Sequence, residues 1–151
     1  MDEKLKIKES EYVNSVFEQP WWLDIVAPGS WEEIMITEED VTVARWPLVY
    51  NGRNIGMPKL TQTLGIWISD SLLANDSSYN EKRRILQLLI SKLPDVKQIN
   101  VSLDTSIDYF IPFCWNGFSV HPRISYRLDD LSDMDVIFSR FSGNVRNSIK
   151  R

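Results

Sequence analysis

The alternation of apolar and polar positions predicts a chain that mixes helices and strands. The clearest element is a helix over residues 79–93, in which charged side chains cover the face opposite a broad apolar face. Its predicted apolar positions are Ile85, Leu86, Leu88, Leu89, Ile90 and Leu93. Pro94 follows directly and ends the predicted helix, because proline lacks the amide hydrogen that an interior turn requires.

An antiparallel meander is predicted before this helix. Residues 33–37 have the composition of a strand and lead through an acidic turn at 38–40 to a longer β segment at 41–50. Asn51-Gly52 predicts a type I′ hairpin turn, because Asn and Gly tolerate a positive φ, and residues 53–60 form the expected return strand. Residues 61–78 have the length and polarity of a functional loop.

The N-terminal region, residues 9–27, predicts one or two helices that Pro20 divides. The apolar stripe of the second helix is expected to contain Trp21, Trp22, Ile25 and Val26.

The C-terminal third of the chain predicts a strand, a short helix, a second strand and a final helix. The strand covers 96–103, and the helix covers 108–115 with Asn116-Gly117 as its C-terminal cap. A broken strand is expected at 118–128, and a helix at 133–151 that is interrupted at Ser142-Gly143. The chain as a whole therefore predicts an α/β (α+β) fold, with a mixed, largely antiparallel sheet flanked by helices in a single domain over residues 1–151.

Composition favours a cytoplasmic protein without a membrane span. The chain has 151 residues, 43% of them hydrophobic, and a single cysteine, which excludes an internal disulfide and indicates a reducing compartment. No apolar run approaches the roughly 20 residues that a membrane-spanning helix needs. The N-terminus lacks the apolar core of a signal peptide.

Charge is distributed unevenly along the chain. Residues 1–40 hold eleven acids and three bases, whereas the last twelve residues contain four bases. Those bases include Arg146 and Lys150, which are candidates either for contact with an anionic ligand or for a solvated helix end. The net charge of −4 does not favour broad electrostatic binding of DNA or other nucleic acid.

The residue types that carry common cofactor chemistry are scarce. No two glycines are spaced as a dinucleotide-binding loop requires, and none precedes a Gly-Lys pair. Cys114 and His121 are the only soft ligands, so no structural zinc site is expected, and we predict no metal. The apolar sequence around Cys114 is typical of a buried structural cysteine.

The segment 57–67 combines groups that suit a polar acceptor such as a sugar or a peptide. Glycine and proline punctuate it, and it carries a cation, hydroxyls, an amide and an aromatic ring. Its candidate binding residues are Lys59, Thr61, Gln62 and Trp67, with Arg45 and Trp46 beside them.

Five blocks in chain order resemble the N-terminal motifs of proteins of the GNAT superfamily akin to the FemABX, or methicillin-resistance-factor, aminoacyl transferases. The blocks are FEQPWWLD (17–24), MPKLTQTLGIW (57–67), PFCWNGF (112–118), SYRL (125–128) and NVRNSIK (144–150). The resemblance implies a GNAT-like domain that forms the N-terminal, acceptor-side half of a two-lobe bacterial transferase.

The resemblance also implies the chemistry and partners of the whole protein. The donor would be an acyl-CoA or an aminoacyl-tRNA, held by the other half, so no cofactor is expected in this chain. The acceptor would be a cell-wall or surface-polysaccharide precursor. A C-terminal GNAT-like half or a second copy, giving a homodimer, is the expected protein partner, and the lobe alone is expected to be inactive.

One departure separates this chain from the aminoacyl-tRNA-dependent members. In those proteins a tryptophan of the first helix tends to be followed four residues later by lysine, whereas Trp22 is followed by Val26. Acyltransferases of surface-polysaccharide clusters are therefore at least as good a comparison. The two alternatives to an acceptor-side lobe are a stand-alone glycan- or peptide-binding module without catalysis and a complete minimal acetyltransferase.

Overall fold

The computed structural model describes residues 9–73, 78–124 and 131–149. The chain divides into two compact units, Met1–Val120 and His121–Arg151. The described part of the first unit contains all of the strands, and that of the second contains two short helices.

A five-stranded sheet is organised around one long strand. The strands are β1 (Trp31–Glu38), β2 (Val41–Asn51), β3 (Asn54–Ile55), β4 (Trp67–Ile68) and β5 (Gln98–Ile99). Strand β2 pairs antiparallel with β1, β3 and β4, and β3 pairs in parallel with β5. The predicted mixed α+β fold with a mostly antiparallel sheet is therefore confirmed.

Seven helical segments surround or follow the sheet in the described residues. They are a 3₁₀ turn (Val16–Glu18), α1 (Pro20–Val26), α2 (Asp70–Leu73), α3 (Ser78–Ser91), α4 (Ile111–Trp115), α5 (Met134–Arg140) and α6 (Gly143–Ile149). Pro20 begins α1, as predicted, because its fixed φ suits the first helical turn. The break before Gly143 and the cap at Gly117, whose φ is +83°, are also confirmed.

The two hairpin turns differ from the prediction in their details. The acidic turn between β1 and β2 has two residues, Glu39 and Asp40, and both adopt a positive φ, the pattern of a type I′ turn. In the second hairpin Asn51 pairs with Asn54, so the turn residues are Gly52 and Arg53. Only Gly52 has a positive φ, which indicates a type II′ turn rather than the predicted type I′ turn.

Several predicted strands are shorter or absent. The return strand expected at 53–60 extends over Asn54–Ile55 only, and the strand expected at 96–103 over Gln98–Ile99 only. Residues 118–124 form no strand, and 125–130 lie outside the described residues. Val101 and Phe118 belong to two of these predicted strands and pack against the core from irregular backbone. Apolar alternation alone does not distinguish such backbone from a strand.

The main core lies between one face of the sheet and α3. Its largest member is Trp46, which is 1% exposed and packs edge-on against Phe113 of α4. Helix α3 contributes four buried side chains, Ile85, Leu86, Leu89 and Ile90, as its pattern predicted. Leu88 was expected on the same face but is exposed, so the predicted apolar face is too broad at this position.

A smaller apolar cluster packs α1 against the sheet. Leu23, Ala27, Val49 and Leu64 are its buried members, and Trp22 and Val26 pack against them. Ile25 is 70% exposed, so the predicted stripe is wrong at this position, and Leu23 takes the central place instead. The prediction of a buried Cys114 is also wrong, because Cys114 is exposed on the short helix α4.

In the second unit, α5 begins at a well-formed cap. The Asp133 carboxylate accepts hydrogen bonds from the backbone N–H groups of Asp135 and Val136 at 3.1 and 3.0 Å. Across the described residues, no helix combines the length and the apolar character that crossing a membrane requires.

The exposures within α1 predict a sharp contrast between neighbouring positions. Leu23→Ala should lower the free energy of unfolding by about 2–5 kcal/mol, because it removes a fully buried side chain and leaves a cavity. Ile25→Ala should change it by no more than about 0.5 kcal/mol, because its side chain lies at the surface. Urea unfolding of both variants checks this, and equal losses would contradict the assignment of Leu23 to the core.

Candidate functional site

A cavity of about 220 Å³ lies beside β4, within the first unit. Four parts of the chain form its walls: residues 13–14 of the N-terminal segment, the 66–70 segment that contains β4, helix α3, and the 106–109 loop. The lining residues are Val13, Asn14, Ile66, Trp67, Ile68, Asp70, Lys82, Leu86, Ser106, Ile107, Asp108 and Tyr109. The walls thus combine aliphatic, aromatic and charged groups.

An ion pair joins two of the walls. Lys82 Nζ on α3 donates to Asp108 Oδ1 at 2.8 Å, and the lysine side chain is only 16% exposed. The ammonium group also lies 5.6 Å from the centre of the Tyr79 ring. Asp70 adds a second carboxylate to the lining and is exposed. Of the lining charges, Lys82 is therefore already matched by Asp108, and Asp70 leaves an excess of negative charge.

Trp67 supplies an aromatic surface to this cavity. Its ring is half-buried and packs against Tyr12, with 5.0 Å between the ring centroids and a tilt of 48°. An aromatic ring close to carboxylate and amide groups is an arrangement that holds a small polar ligand with apolar patches, such as a sugar ring or a short peptide.

The N-terminal segment 10–15 is fixed to the body of the unit by polar contacts at its two ends. Ser10 and Gln19 exchange two hydrogen bonds of 2.9 Å each. Arg45 Nη1 donates to the carbonyl oxygens of Tyr12 and Glu18 at 3.3 and 2.9 Å. The cavity wall that contains Asn14 is therefore held in place by side chains that do not themselves line the cavity.

Glu18 provides the most buried of these contacts. Its carboxylate is completely shielded from solvent and accepts hydrogen bonds from the Asn14 N–H at 2.7 Å and the Gly65 N–H at 3.1 Å. Asn14 Nδ2 donates to the same carboxylate at 3.2 Å and to the Ile66 carbonyl at 2.9 Å. One carboxylate thus joins the N-terminal segment to the loop that precedes β4.

No ion pair to the Glu18 carboxylate is present among the described residues. Burial raises the pKa of this carboxyl above its ordinary value; the hydrogen bonds from Asn14 and Gly65 oppose the shift, and the charge of Asp104 adds to it. Taking a carboxylate out of water without a cation is costly, so the amide donors are what make this position tolerable.

Gly65 allows the close approach of backbone to Glu18. A Cβ atom at this position would lie 3.0 Å from Glu18 Oε1 and 3.0 Å from the Asp104 backbone nitrogen. A glycine is favoured here by the tight space rather than by φ, which is not positive at this residue.

Arg45 and Trp46, both candidates from the sequence, lie on opposite faces of β2, as neighbours in a strand do. Arg45 is 1% exposed and forms a 2.7 Å ion pair with Glu33 on β1. It is paired in register with Trp67 of β4, so the structure brings these two candidates together. Trp46 lies in the main core, away from them.

The remaining candidates do not line the cavity. Lys59 and Gln62 are exposed, and Thr61 Oγ1 accepts a 3.0 Å hydrogen bond from Trp22 Nε1, which ties this loop to α1. Arg146 is on α6 in the second unit, where its Nη1 donates to the Ser139 carbonyl at 3.3 Å. Lys150 lies outside the described residues.

Sequence reasoning missed most of the cavity. Asn14 and Glu18 lie in a stretch that the sequence predicted only as part of a helical region, and Asp70, Lys82 and Asp108 resemble ordinary surface charges. The one available signal was Gly65, which is a glycine without a turn and therefore indicates a close backbone approach. In the described part of the chain, no three Asp, Glu, His or Cys side chains are grouped as metal ligands would be.

Comparisons with known proteins give no relative: no family model, no curated protein and no solved structure matches this chain.

The space around Gly65 yields a prediction with a built-in control. Gly65→Ala should lower the free energy of unfolding by roughly 1–3 kcal/mol, because the new methyl group must displace backbone or the Glu18 carboxylate. At Gly56 the nearest atom to an added Cβ is the Asn100 carbonyl oxygen at 3.7 Å, an ordinary contact. Gly56→Ala should therefore be close to neutral. Chemical denaturation distinguishes the two variants, and a neutral Gly65→Ala would show that the loop is not tightly packed.

The burial of Glu18 predicts a pH dependence of stability. Because its pKa is raised, the folded protein retains this proton at pH values where the unfolded chain has lost it. The difference between the free energies of unfolding, wild type minus Glu18→Gln, should therefore fall as the pH rises. The fall should begin at 4.5, the ordinary pKa of a glutamate, and continue through the raised pKa. Urea titrations of both proteins between pH 4.5 and about 8 measure this difference, and a difference that grows with pH would refute the burial argument.

Proposed function

We propose that this chain is the acceptor-binding lobe of an acyl- or aminoacyltransferase of the GNAT/FemABX kind, acting in the cytoplasm on a cell-wall or surface-polysaccharide precursor. The cavity beside Trp67 holds part of that acceptor. The observation that carries the proposal is the combination of an aromatic ring, an amide and two carboxylates around a cavity of about 220 Å³.

The lining chemistry supports a hydroxyl- or amine-bearing ligand. Trp67 and Tyr109 offer rings against which a sugar or peptide unit packs, and Asp70, Asp108 and Asn14 offer hydrogen-bonding groups. The excess of carboxylates disfavours an anionic group inside the cavity. The nucleotide or phosphate part of an activated precursor would therefore lie outside it.

The five sequence blocks and the mostly antiparallel sheet support the link to the GNAT/FemABX transferases. In that scheme a GNAT-like C-terminal half or a second copy of the chain binds the acyl-CoA or aminoacyl-tRNA donor. In the transfer step of that scheme, the acceptor amine or hydroxyl attacks the acyl carbonyl and loses its proton, and backbone N–H groups stabilise the oxyanion that forms. Collapse of this intermediate breaks the bond to the donor and releases the CoA thiol or the tRNA hydroxyl with that proton.

A second candidate is a stand-alone glycan- or peptide-binding module. The observation that favours it is that every residue lining the cavity belongs to the first unit. On this interpretation the cavity is complete without a partner, and the protein binds its ligand without transferring a group to it.

Tryptophan substitutions test acceptor binding directly. Titration with N-acetylglucosamine and with muropeptides, followed by calorimetry, should show binding that Trp67→Ala weakens at least about tenfold, or by about 1.4 kcal/mol. Trp67→Phe should retain part of the affinity, because it keeps an aromatic face. Trp115→Ala is the matched control, since Trp115 is 61% exposed and lies on α4 outside the cavity.

Binding and transfer assays together distinguish the acceptor lobe from the binding module, and they also show whether both proposals fail. Sugar or peptide binding without acyl-CoA binding, followed by group transfer once a donor-binding partner is added, supports the acceptor lobe. Binding with no transfer in any combination supports the module. Affinity that is equal in Trp67→Ala and Trp115→Ala, or no binding of any of these ligands, contradicts the proposed role of the cavity.

A further inference from the structure

We propose that Glu18 is a positioning residue for the Trp67 cavity: its buried carboxylate sets the distance between the N-terminal segment and the loop before β4, and thereby the shape of the ligand-binding wall. This inference rests on the proposed function for its binding consequence. Its structural part stands on the contacts of Glu18 alone.

Glu18 acts on the cavity without lining it. The residues whose backbone N–H groups donate to its carboxylate are Asn14, which lines the cavity, and Gly65, which directly precedes the lining residue Ile66. Asn14 Nδ2 then bridges the Glu18 carboxylate and the Ile66 carbonyl. Two walls of the cavity are thus linked through one carboxylate.

A purely structural residue at the position of Glu18 would be expected to be apolar. The Glu18 side chain is fully buried and forms no ion pair with any described cation, so an aliphatic side chain would remove a desolvation cost. What an aliphatic side chain lacks is the ability to accept three N–H hydrogen bonds from two separate segments. The carboxylate is therefore explained by the alignment of those segments, at some cost in stability.

The link from Glu18 continues to the cavity wall formed by the 106–109 loop. Leu64 N–H donates to the Ser102 carbonyl at 2.8 Å, and Gly65 packs against Asp104. The Asp104 carboxylate and carbonyl accept from the N–H groups of Ser106 and Ile107, which line the cavity. Movement of Gly65 away from Glu18 therefore displaces the backbone that carries the 106–109 wall as well.

Native-state hydrogen exchange tests the structural part without a ligand. In Glu18→Gln one carboxylate oxygen becomes an amide donor facing an N–H donor, so at least one of the Asn14 and Gly65 amides should exchange at least tenfold faster than in the wild type. The Tyr50 amide is the internal control, because its acceptor is the Ser30 carbonyl, outside the linked segments, and its exchange should be unchanged. Unchanged exchange at Asn14 and Gly65 would overturn the proposal.

Affinity measurements test the binding part. Glu18→Gln and Asn14→Ala should each weaken binding of N-acetylglucosamine or a muropeptide about tenfold, and the double variant should lose little more, because both changes break the same link.

Ile55→Val is the stability-matched control, as it trims a buried side chain outside the cavity. If Ile55→Val weakens ligand binding as much as Glu18→Gln does, Glu18 contributes only to general stability, and the proposal is contradicted. If the wild type binds none of these ligands, the proposed function fails, and hydrogen exchange alone decides whether Glu18 positions the wall.

Discussion

The desolvation of one carboxylate is the constraint on which the first unit depends. Glu18 lies where water does not reach, and the described residues offer it amide hydrogens instead of a cation. Those hydrogens come from Asn14 and Gly65, which belong to segments about fifty residues apart in the chain. The unit must therefore bring both segments to the same place at once, and the space for their approach exists only because Gly65 carries no side chain.

Strand β2 determines what lies on either side of that contact. Successive side chains of a strand point to opposite faces, so Arg45 holds the N-terminal segment through the carbonyls of Tyr12 and Glu18, while Trp46 fills the core against Phe113. The same strand pairs with β4 and so places Trp67 opposite Arg45. The packing of the core and the placement of the cavity wall are thus two consequences of one strand.

The sequence predicted elements well where burial follows a regular period. Helix α3 and the β1–β2 hairpin were found because their apolar residues recur at helical or alternating spacing. The period gave no help where the backbone is irregular, as at 57–66 and 100–110. It also misplaced Ile25, which is exposed, whereas Leu23 of the same helix is buried. The cavity depends on contacts between residues far apart in the chain, such as Asn14 with Ile66 and Lys82 with Asp108, which no local pattern encodes. Trp67 was the exception, because an aromatic residue in a polar loop is unusual in itself.

The exposed Cys114 has a practical consequence for any study of assembly. The sequence contains one cysteine, so a disulfide formed by this chain joins two molecules. Preparations kept without reductant are expected to accumulate such disulfide-linked pairs. These pairs can be mistaken for a natural dimer. The same thiol is also a single attachment point for a maleimide dye, on a helix outside the cavity, without any change to the sequence.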